Sequence, residues 1–407
     1  MGFQQGLSGL DAAAKNLDVI GNNVANASTV GFKSFRAEFA DLYANSLAGA
    51  GTNNVGIGTQ IANVSANFTQ GNTITTSNPL DMAINGSGFF RTSTNGTIAY
   101  SRNGQFKLDN EGYVVNTSGG RLQGYPVDAS GGVVPSAPAD LRISASDITP
   151  QVTTEARAVL NLDSRKGALS SASFNLNNTA TYNDATSLSV YDSLGNGHTL
   201  TTYFVKTAAN SWDVFGASDG VQVGAGSLGT LVFQTDGSLD TAASALPLNV
   251  SVPVSTGAVT PLDFTLDFLG TSQFGSSFGV NELVQDGYQS GRLTGFNIND
   301  DGTLLGRYSN GQSRAQGQIV LANFTNPQGL QQLGNNLLAE TAESGLPLVG
   351  APGTGALGVL QSGALEESNV DLTSELVNMI TAQRVYQANA QTIRAQDQLL
   401  QTIVNLR

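Results

Sequence analysis

The chain has 407 residues, and 12% of them are charged, about half the share of an ordinary soluble domain. Its formal net charge of −13 disfavours nucleic acid and anionic lipid as partners, because both require clustered Lys and Arg. With no Cys and a single His, disulfides, thiolate nucleophiles and metal sites built from several Cys or His are excluded. A surface so poor in charge suggests that part of it faces other protein.

The N-terminus lacks the basic and apolar regions of a secretory signal, and no run of 18 apolar residues occurs. We therefore expect neither a cleaved leader nor membrane insertion.

Apolar residues recur at seven-residue intervals over the first 25 positions. They are Phe3, Leu10, Leu17 and Val24, with Leu7 and Ala14 in a companion line. This spacing predicts a helix with a narrow apolar seam, the pattern of a coiled coil. The turn-forming stretches Gly21–Asn23 and Asn26–Ser28 predict its end before residue 30.

The C-terminus repeats the pattern. The seam residues are Leu372, Met379, Tyr386, Ile393 and Leu400, with Leu376, Ala390 and Val404 in the companion line. Asp371 and the residues before it form a helix start signal, and neither Gly nor Pro follows. These features predict one helix of roughly 50 Å.

A rod of that length with a narrow seam requires a facing helix. We expect residues 1–29 and 369–407 to pair as long coiled-coil-like termini. Two helices hide only part of each other's seams, so we also expect the pair to pack against other copies of the chain. The predicted interface residues are Phe3, Leu7, Leu10, Leu17, Val24, Leu372, Leu376, Met379, Tyr386, Ile393, Leu400 and Val404.

Between the helices the period changes. Residues 30–75 lack a clear pattern and include the Gly- and Asn-rich stretch Ala48–Asn54, which favours an extended linker. From residue 76, alternating apolar residues and Gly-containing turns predict hairpins. We expect two nested all-β domains, a first one over 76–148 and 285–368 and a second one inserted over 149–284.

Candidate chemistry is sparse, and no catalytic, cofactor or metal site is predicted. Asn297–Gly302 resembles the start of a calcium loop, but Tyr308 occupies the position that requires a Glu, so a hairpin turn is favoured. His198 follows a turn and is interpreted as a surface or turn histidine. Glu366 and Glu367 precede the C-terminal helix and favour its positive end. Trp212 is expected in a β-core.

Nine short stretches carry a resemblance to known proteins. They are Ser8–Ala14, Leu17–Asn26, Gly31–Lys33, Asn78–Ile84, Gly88–Phe90, Ser101–Phe106, Ser368–Leu372, Glu375–Ile380 and Gln383–Arg384. In this order they resemble bacterial flagellar rod and hook proteins. The insert at 149–284 favours a hook subunit, with a distal rod or other axial subunit as the alternative. A carbohydrate-active enzyme with paired acids is the unrelated alternative.

The resemblance implies a non-enzymatic, self-assembling tube that acts as a universal joint, transmits torque and encloses an export channel. Terminal helices would form the inner tube, the first β-domain the middle layer and the insert the outer surface. Implied partners are rod proteins, hook–filament junction proteins, the hook cap and the flagellar type III export apparatus. The implied location is the extracellular flagellum, reached without a cleaved signal peptide.

Overall fold

The computed structural model describes residues 2–42, 56–128 and 131–405, without the side chains of residues 403–405. Within these ranges the chain forms two α-helices, α1 (Gly2–Ala25) and α2 (Leu372–Asn405). The Gly- and Asn-rich stretch at residues 48–54 lies outside the described residues.

Short β-strands make up most of the regular structure. The first ten are β1 (Phe35–Leu42), β2 (Gly58–Ala66), β3 (Thr73–Thr75), β4 (Met82–Asn85), β5 (Phe89–Thr94), β6 (Thr97–Ser101), β7 (Phe106–Leu108), β8 (Val114–Asn116), β9 (Arg121–Tyr125) and β10 (Ala139–Asp140). The next ten are β11 (Glu155–Asp163), β12 (Asp184–Tyr191), β13 (Gly197–Ala208), β14 (Ser211–Ser218), β15 (Val221–Val223), β16 (Gly229–Val232), β17 (Leu248–Val252), β18 (Leu262–Asp267), β19 (Ser272–Phe274) and β20 (Gly279–Gln285). The last nine are β21 (Leu293–Ile298), β22 (Thr303–Tyr308), β23 (Ser313–Ile319), β24 (Leu321–Asn323), β25 (Gln331–Gly334), β26 (Leu337–Ala339), β27 (Leu348–Gly350), β28 (Val359–Ser362) and β29 (Ala364–Glu366).

The prediction of long coiled-coil-like termini is wrong. The described chain is mostly β, with one helix near each end. The two helices contact each other, and Ile393 of α2 lies beside Gly6 of α1, but several large seam residues remain at the surface: Phe3 and Leu372 are each 48% exposed. Small and polar residues make most of the contact, so the described parts of the helices lack the packing of a coiled coil, in which each large seam side chain fills a hole on the partner.

The chain divides into two compact units. Unit 1 comprises Met1–Ser144, Gly295–Arg307 and Ser313–Arg407, and unit 2 comprises Ala145–Thr294 and Tyr308–Gln312.

Unit 1 carries most of a 13-stranded sheet whose main path includes β23-β9-β5-β6-β26-β25. Phe89, Tyr100 and Phe324 pack edge to face in its core. Three strand pairs accompany the sheet: β1 with β2, β4 with β28, and β3 with β29. Through the last two pairs, the strands that lead into α2 are bound to early strands of the same unit.

Unit 2 contains two five-stranded sheets, β17-β18-β11-β19 with β20, and β12-β13-β14-β15 with β16. Alternation explains the burial: in β17, Leu248, Val250 and Val252 are buried and the residues between them are exposed. The side chains of both sheets form one apolar core. Trp212 is fully buried in it, as predicted, and donates a hydrogen bond of 2.6 Å from Nε1 to Oε1 of Gln273.

Candidate assembly surface

The two helices run antiparallel. Gly6 lies beside Ile393, Gly9 beside Asn389, and Asn23 hydrogen-bonds Glu375 at 3.4 Å, so positions ascend on α1 as they descend on α2. At α2's start, Oδ1 of Asp371 accepts hydrogen bonds from the backbone N–H groups of Thr373 (2.9 Å) and Ser374 (3.2 Å). This is an N-cap, and it fixes where α2 begins.

The contact between the helices also repeats every seven residues, but along a different line from the predicted seams. The residues along this line are buried or half-buried and, apart from Ile20, they are small or polar. On α1 they are Gly6, Ala13 and Ile20 with Gly9, Asn16 and Asn23, and on α2 they are Glu375, Ala382, Asn389 and Gln396. A Cβ added at Gly9 would lie 2.9 Å from the Asn389 side chain, so glycine permits this close approach.

Large apolar side chains are left at the surface. Among the predicted interface residues, Phe3, Leu7, Leu372, Leu376, Tyr386 and Leu400 are 37–56% exposed. Five others are half-buried, namely Leu10, Leu17, Val24, Met379 and Ile393. The side chain of Val404 lies outside the described residues. The helix pair therefore leaves most of these apolar side chains partly or largely uncovered.

These seam residues share one flank of the helix pair. The other flank is a cleft of about 650 Å³ between the helices and β1–β2, lined by Ala12 and Val19 of α1 and by Asn378 and Val385 of α2. On helices with 3.6 residues per turn, those positions lie on the opposite side of the α1–α2 contact from the two seams. The structure thus brings both predicted seams to one face. We call this face, formed by the predicted interface residues whose side chains the structure describes, the seam face.

A buried ion cluster anchors the chain next to both helices. Glu366 is fully buried; its carboxylate accepts hydrogen bonds from Nζ of Lys33 (2.5 Å), Nη1 of Arg102 (3.2 Å) and the backbone N–H of Gly71 (2.9 Å). Burial lowers the pKa of the Lys33 ammonium and of the Arg102 guanidinium, although the Glu366 carboxylate opposes that effect. The cluster joins the segments that follow α1 and precede α2 to the sheet of unit 1.

No sequence pattern predicts this cluster. The position of Glu366 before α2 indicates a charge at a helix terminus, whereas the structure buries it between two cations. The low number of charged residues is the feature that could have indicated the cluster. In a chain with 12% charged residues, Lys33 and Arg102 each follow a stretch of uncharged residues. Asn369 adds a second link, since its Oδ1 accepts from the backbone N–H of Ser34 at 2.7 Å.

Neither described helix is long and apolar enough to cross a membrane.

Four family models match the chain, in order along it. They are described as flagella basal body rod protein (residues 3–33), flagellar hook protein FlgE/F/G D1 domain (83–157), flagellar basal body protein FlaE D2 domain (161–288) and flagellar basal body rod FlgEFG protein C-terminal (361–406).

Relatives match from end to end. The flagellar hook protein FlgE of Escherichia coli strain K12 is 45% identical over 415 residues, with 100% of both chains covered. That of Salmonella typhimurium is 44% identical over 416 residues with the same coverage, and that of Borreliella burgdorferi is 33% identical, covering 99% of this chain and 98% of the relative. The crystal structure of Helicobacter pylori flagellar hook protein FlgE2 covers 71% of this chain and 99% of its own, with a TM-score of 0.54; at 14% identity it supports the fold alone.

Terminal rod-type segments around D1- and D2-type β units define an axial protein of the bacterial flagellum. Because several relatives exceed 30% identity over nearly their full length, the chain belongs to the flagellar hook protein family, and it is a structural component of the flagellar hook. The resemblance to flagellar rod and hook proteins is confirmed.

Proposed function

We propose that this chain polymerises with copies of itself into a curved helical tube, the hook, and that the seam face is covered by a neighbouring copy. The tube encloses an export channel and acts as a universal joint that transmits torque from the rod to the filament. The observation that carries the proposal is the seam face itself: two apolar seams on one flank of a helix pair, with half-exposed leucines along both helices.

Energetics favours burial of this face. Completing the burial of a half-exposed Leu contributes about 1 kcal/mol, so Leu372, Leu376 and Leu400 together contribute about 3 kcal/mol per copy. The cleft on the opposite flank offers a different surface. Two unlike faces on one helix pair suit a head-to-tail contact, which produces an open helical polymer when its rotation does not close.

The layered arrangement is part of the proposal. The terminal regions 1–29 and 369–407, which contain α1 and α2, form the inner tube, residues 76–148 and 285–368 the middle layer and residues 149–284 the outer surface, with 30–75 as a connection. Polar, shallow contacts between outer regions slide as the tube bends, while the inner helices hold it together. The partners are rod proteins proximally, junction proteins distally, the hook cap during growth and the type III apparatus that exports the chain to the extracellular flagellum.

Leu400→Asp tests the seam face directly. Leu400 is 56% exposed, so the substitution leaves the folded subunit intact, whereas a carboxylate in a dry interface prevents packing. We expect the variant to stay monomeric under conditions in which the parent chain sediments as polymer. The matched control is Gln398→Asp, an exposed position two residues away on another side of α2.

Normal polymers from Leu400→Asp would contradict the proposal. Loss of polymer from both variants would show that added charge anywhere on α2 is harmful, which also contradicts a role specific to the seam face. Circular dichroism of both monomers checks that the helices are retained.

A further inference from the structure

The single histidine of the chain is buried in unit 2 between two carboxylates. Its position after a turn predicts a surface or turn histidine, and that prediction is wrong, since His198 is 7% exposed. Its Nδ1 lies 2.7 Å from Oδ2 of Asp219, and its Nε2 lies 3.4 Å from Oδ2 of Asp192. Asp192 is fully buried.

Both ring nitrogens therefore face an acceptor. A neutral imidazole carries one N–H and one lone pair, so it satisfies only one of these two carboxylates. The doubly protonated imidazolium donates to both. Geometry alone thus selects the charged form of His198.

The three groups connect three loops at one end of unit 2. Asp192 begins the turn between β12 and β13, and Asp219 lies in the turn between β14 and β15. The third loop, between β17 and β18, joins through Thr256, whose hydroxyl donates to Oδ2 of Asp192 at 2.6 Å. The backbone N–H of Val259 in that loop donates to Oγ of Ser193 at 3.0 Å.

We propose that Asp192, His198 and Asp219 form a pH-sensitive clasp that joins the Asp192 turn to the Asp219 turn while His198 is protonated and weakens on the Asp192 side when His198 loses its proton. In the neutral form, Nδ1–H keeps its bond to Asp219. The Nε2 lone pair then faces the buried Asp192 carboxylate, which repels it. Asp192 keeps its other hydrogen bonds, from Leu194, Asn196 and Thr256, so the third loop stays bound and only the link between the two turns weakens.

Electrostatics agrees with the geometry. Burial lowers the pKa of His198, but its hydrogen bonds to Asp219 and Asp192 outweigh burial and raise the pKa above 6.5. Those two carboxylates are the charged groups that act on the ring among the described residues. Because the folded-state pKa is the higher one, the clasp stabilises the fold fully below pH 6.5, and this stabilisation is lost as the pH rises through the folded-state pKa.

A chain with one histidine gives one imidazole signal, which makes the test direct. In the full-length monomer labelled at the histidine ring, we expect the NMR titration to give a pKa above 6.5. Asp192→Asn and Asp219→Asn each remove one carboxylate and should lower that pKa by about 1 unit, the effect of losing one close charge. Asn suits position 219, where φ is 50°, so the turn is preserved.

Amide hydrogen exchange tests the weakening on the Asp192 side. As the pH passes the measured pKa, exchange at residues 192–197 should rise more steeply in the parent chain than in His198→Gln, while residues 219–220 and 256–259 show no such excess. A parent pKa at or below 6.5, a pKa unmoved by Asp192→Asn, or equal exchange in the two proteins would overturn the clasp.

Discussion

Unit 2 buries its large apolar side chains, whereas the helix pair leaves several of its own exposed. In unit 2, Trp212, Phe204 and Phe268 are fully buried in a core shared by two sheets. On the helix pair, Leu7 and Leu400 are more than half exposed, while Gly and Ala fill the contact between the helices. Unit 2 completes its core within one chain, whereas the helix pair keeps a partly exposed apolar surface, which we propose a neighbouring copy covers.

The largest effect is expected at the ion cluster that joins the helices to the sheet of unit 1. Glu366→Gln leaves Lys33 and Arg102 buried without a counter-charge, which should cost about 3–5 kcal/mol of unfolding free energy. Denaturant titration of the monomer followed by circular dichroism measures the cost. The adjacent, exposed Glu367→Gln is the control and should change little. Equal stability of the two variants would mean that the cluster does not hold the helices.

A core deletion in unit 2 should separate folding from assembly. Leu231 is fully buried, so Leu231→Ala is expected to destabilise unit 2 by about 2–5 kcal/mol. Below the lowered melting temperature the variant should still polymerise, because the seam face is unchanged. The control Val221→Ala, at a position 66% exposed, should alter stability by less than about 0.5 kcal/mol. If folded Leu231→Ala failed to polymerise, assembly through the seam face would depend on the core of unit 2, which would contradict this prediction.

The smallest effect concerns the contact between the helices. Gly9→Leu forces side-chain atoms into the space of Asn389 and should cost about 1–3 kcal/mol, seen as earlier loss of helical signal on heating. Gly21→Ala, where an added Cβ meets nothing within 4 Å, is the control and should gain about 0.5–1 kcal/mol. If both substitutions stabilise the helices equally, the close approach at Gly9 is not a feature of the molecule.

Local patterns in the sequence predicted the parts of this molecule that depend on near neighbours. Alternation from residue 76 onward predicted hairpins, and the turn predicted at Asn297–Gly302 lies between β21 and β22. The contact between the helices also repeats every seven residues, but along another line than the one predicted. Large residues at that spacing look the same whether they face a helix of their own chain or of another copy, and Gly6, Gly9 and Asn16 at the contact carry little hydrophobic signal.

Such local patterns do not predict contacts between residues that are far apart in sequence. Lys33 and Glu366 are 333 residues apart in sequence, and Arg102 and Glu366 are 264 apart. His198 and Asp219 meet only because β13 and β14 pair in the observed register. In each case the charged residue was visible in the sequence, but its partner depended on a chain topology that the sequence alone does not specify.

A density map of the assembled tube would show directly whether a neighbouring copy covers the seam face. We expect Leu376 and Leu400 on α2 and Leu7 on α1 to be buried against the helices of that copy. A tube in which this face is open to solvent or to the channel, with the neighbouring copies joined only through their β-sheets, would contradict it.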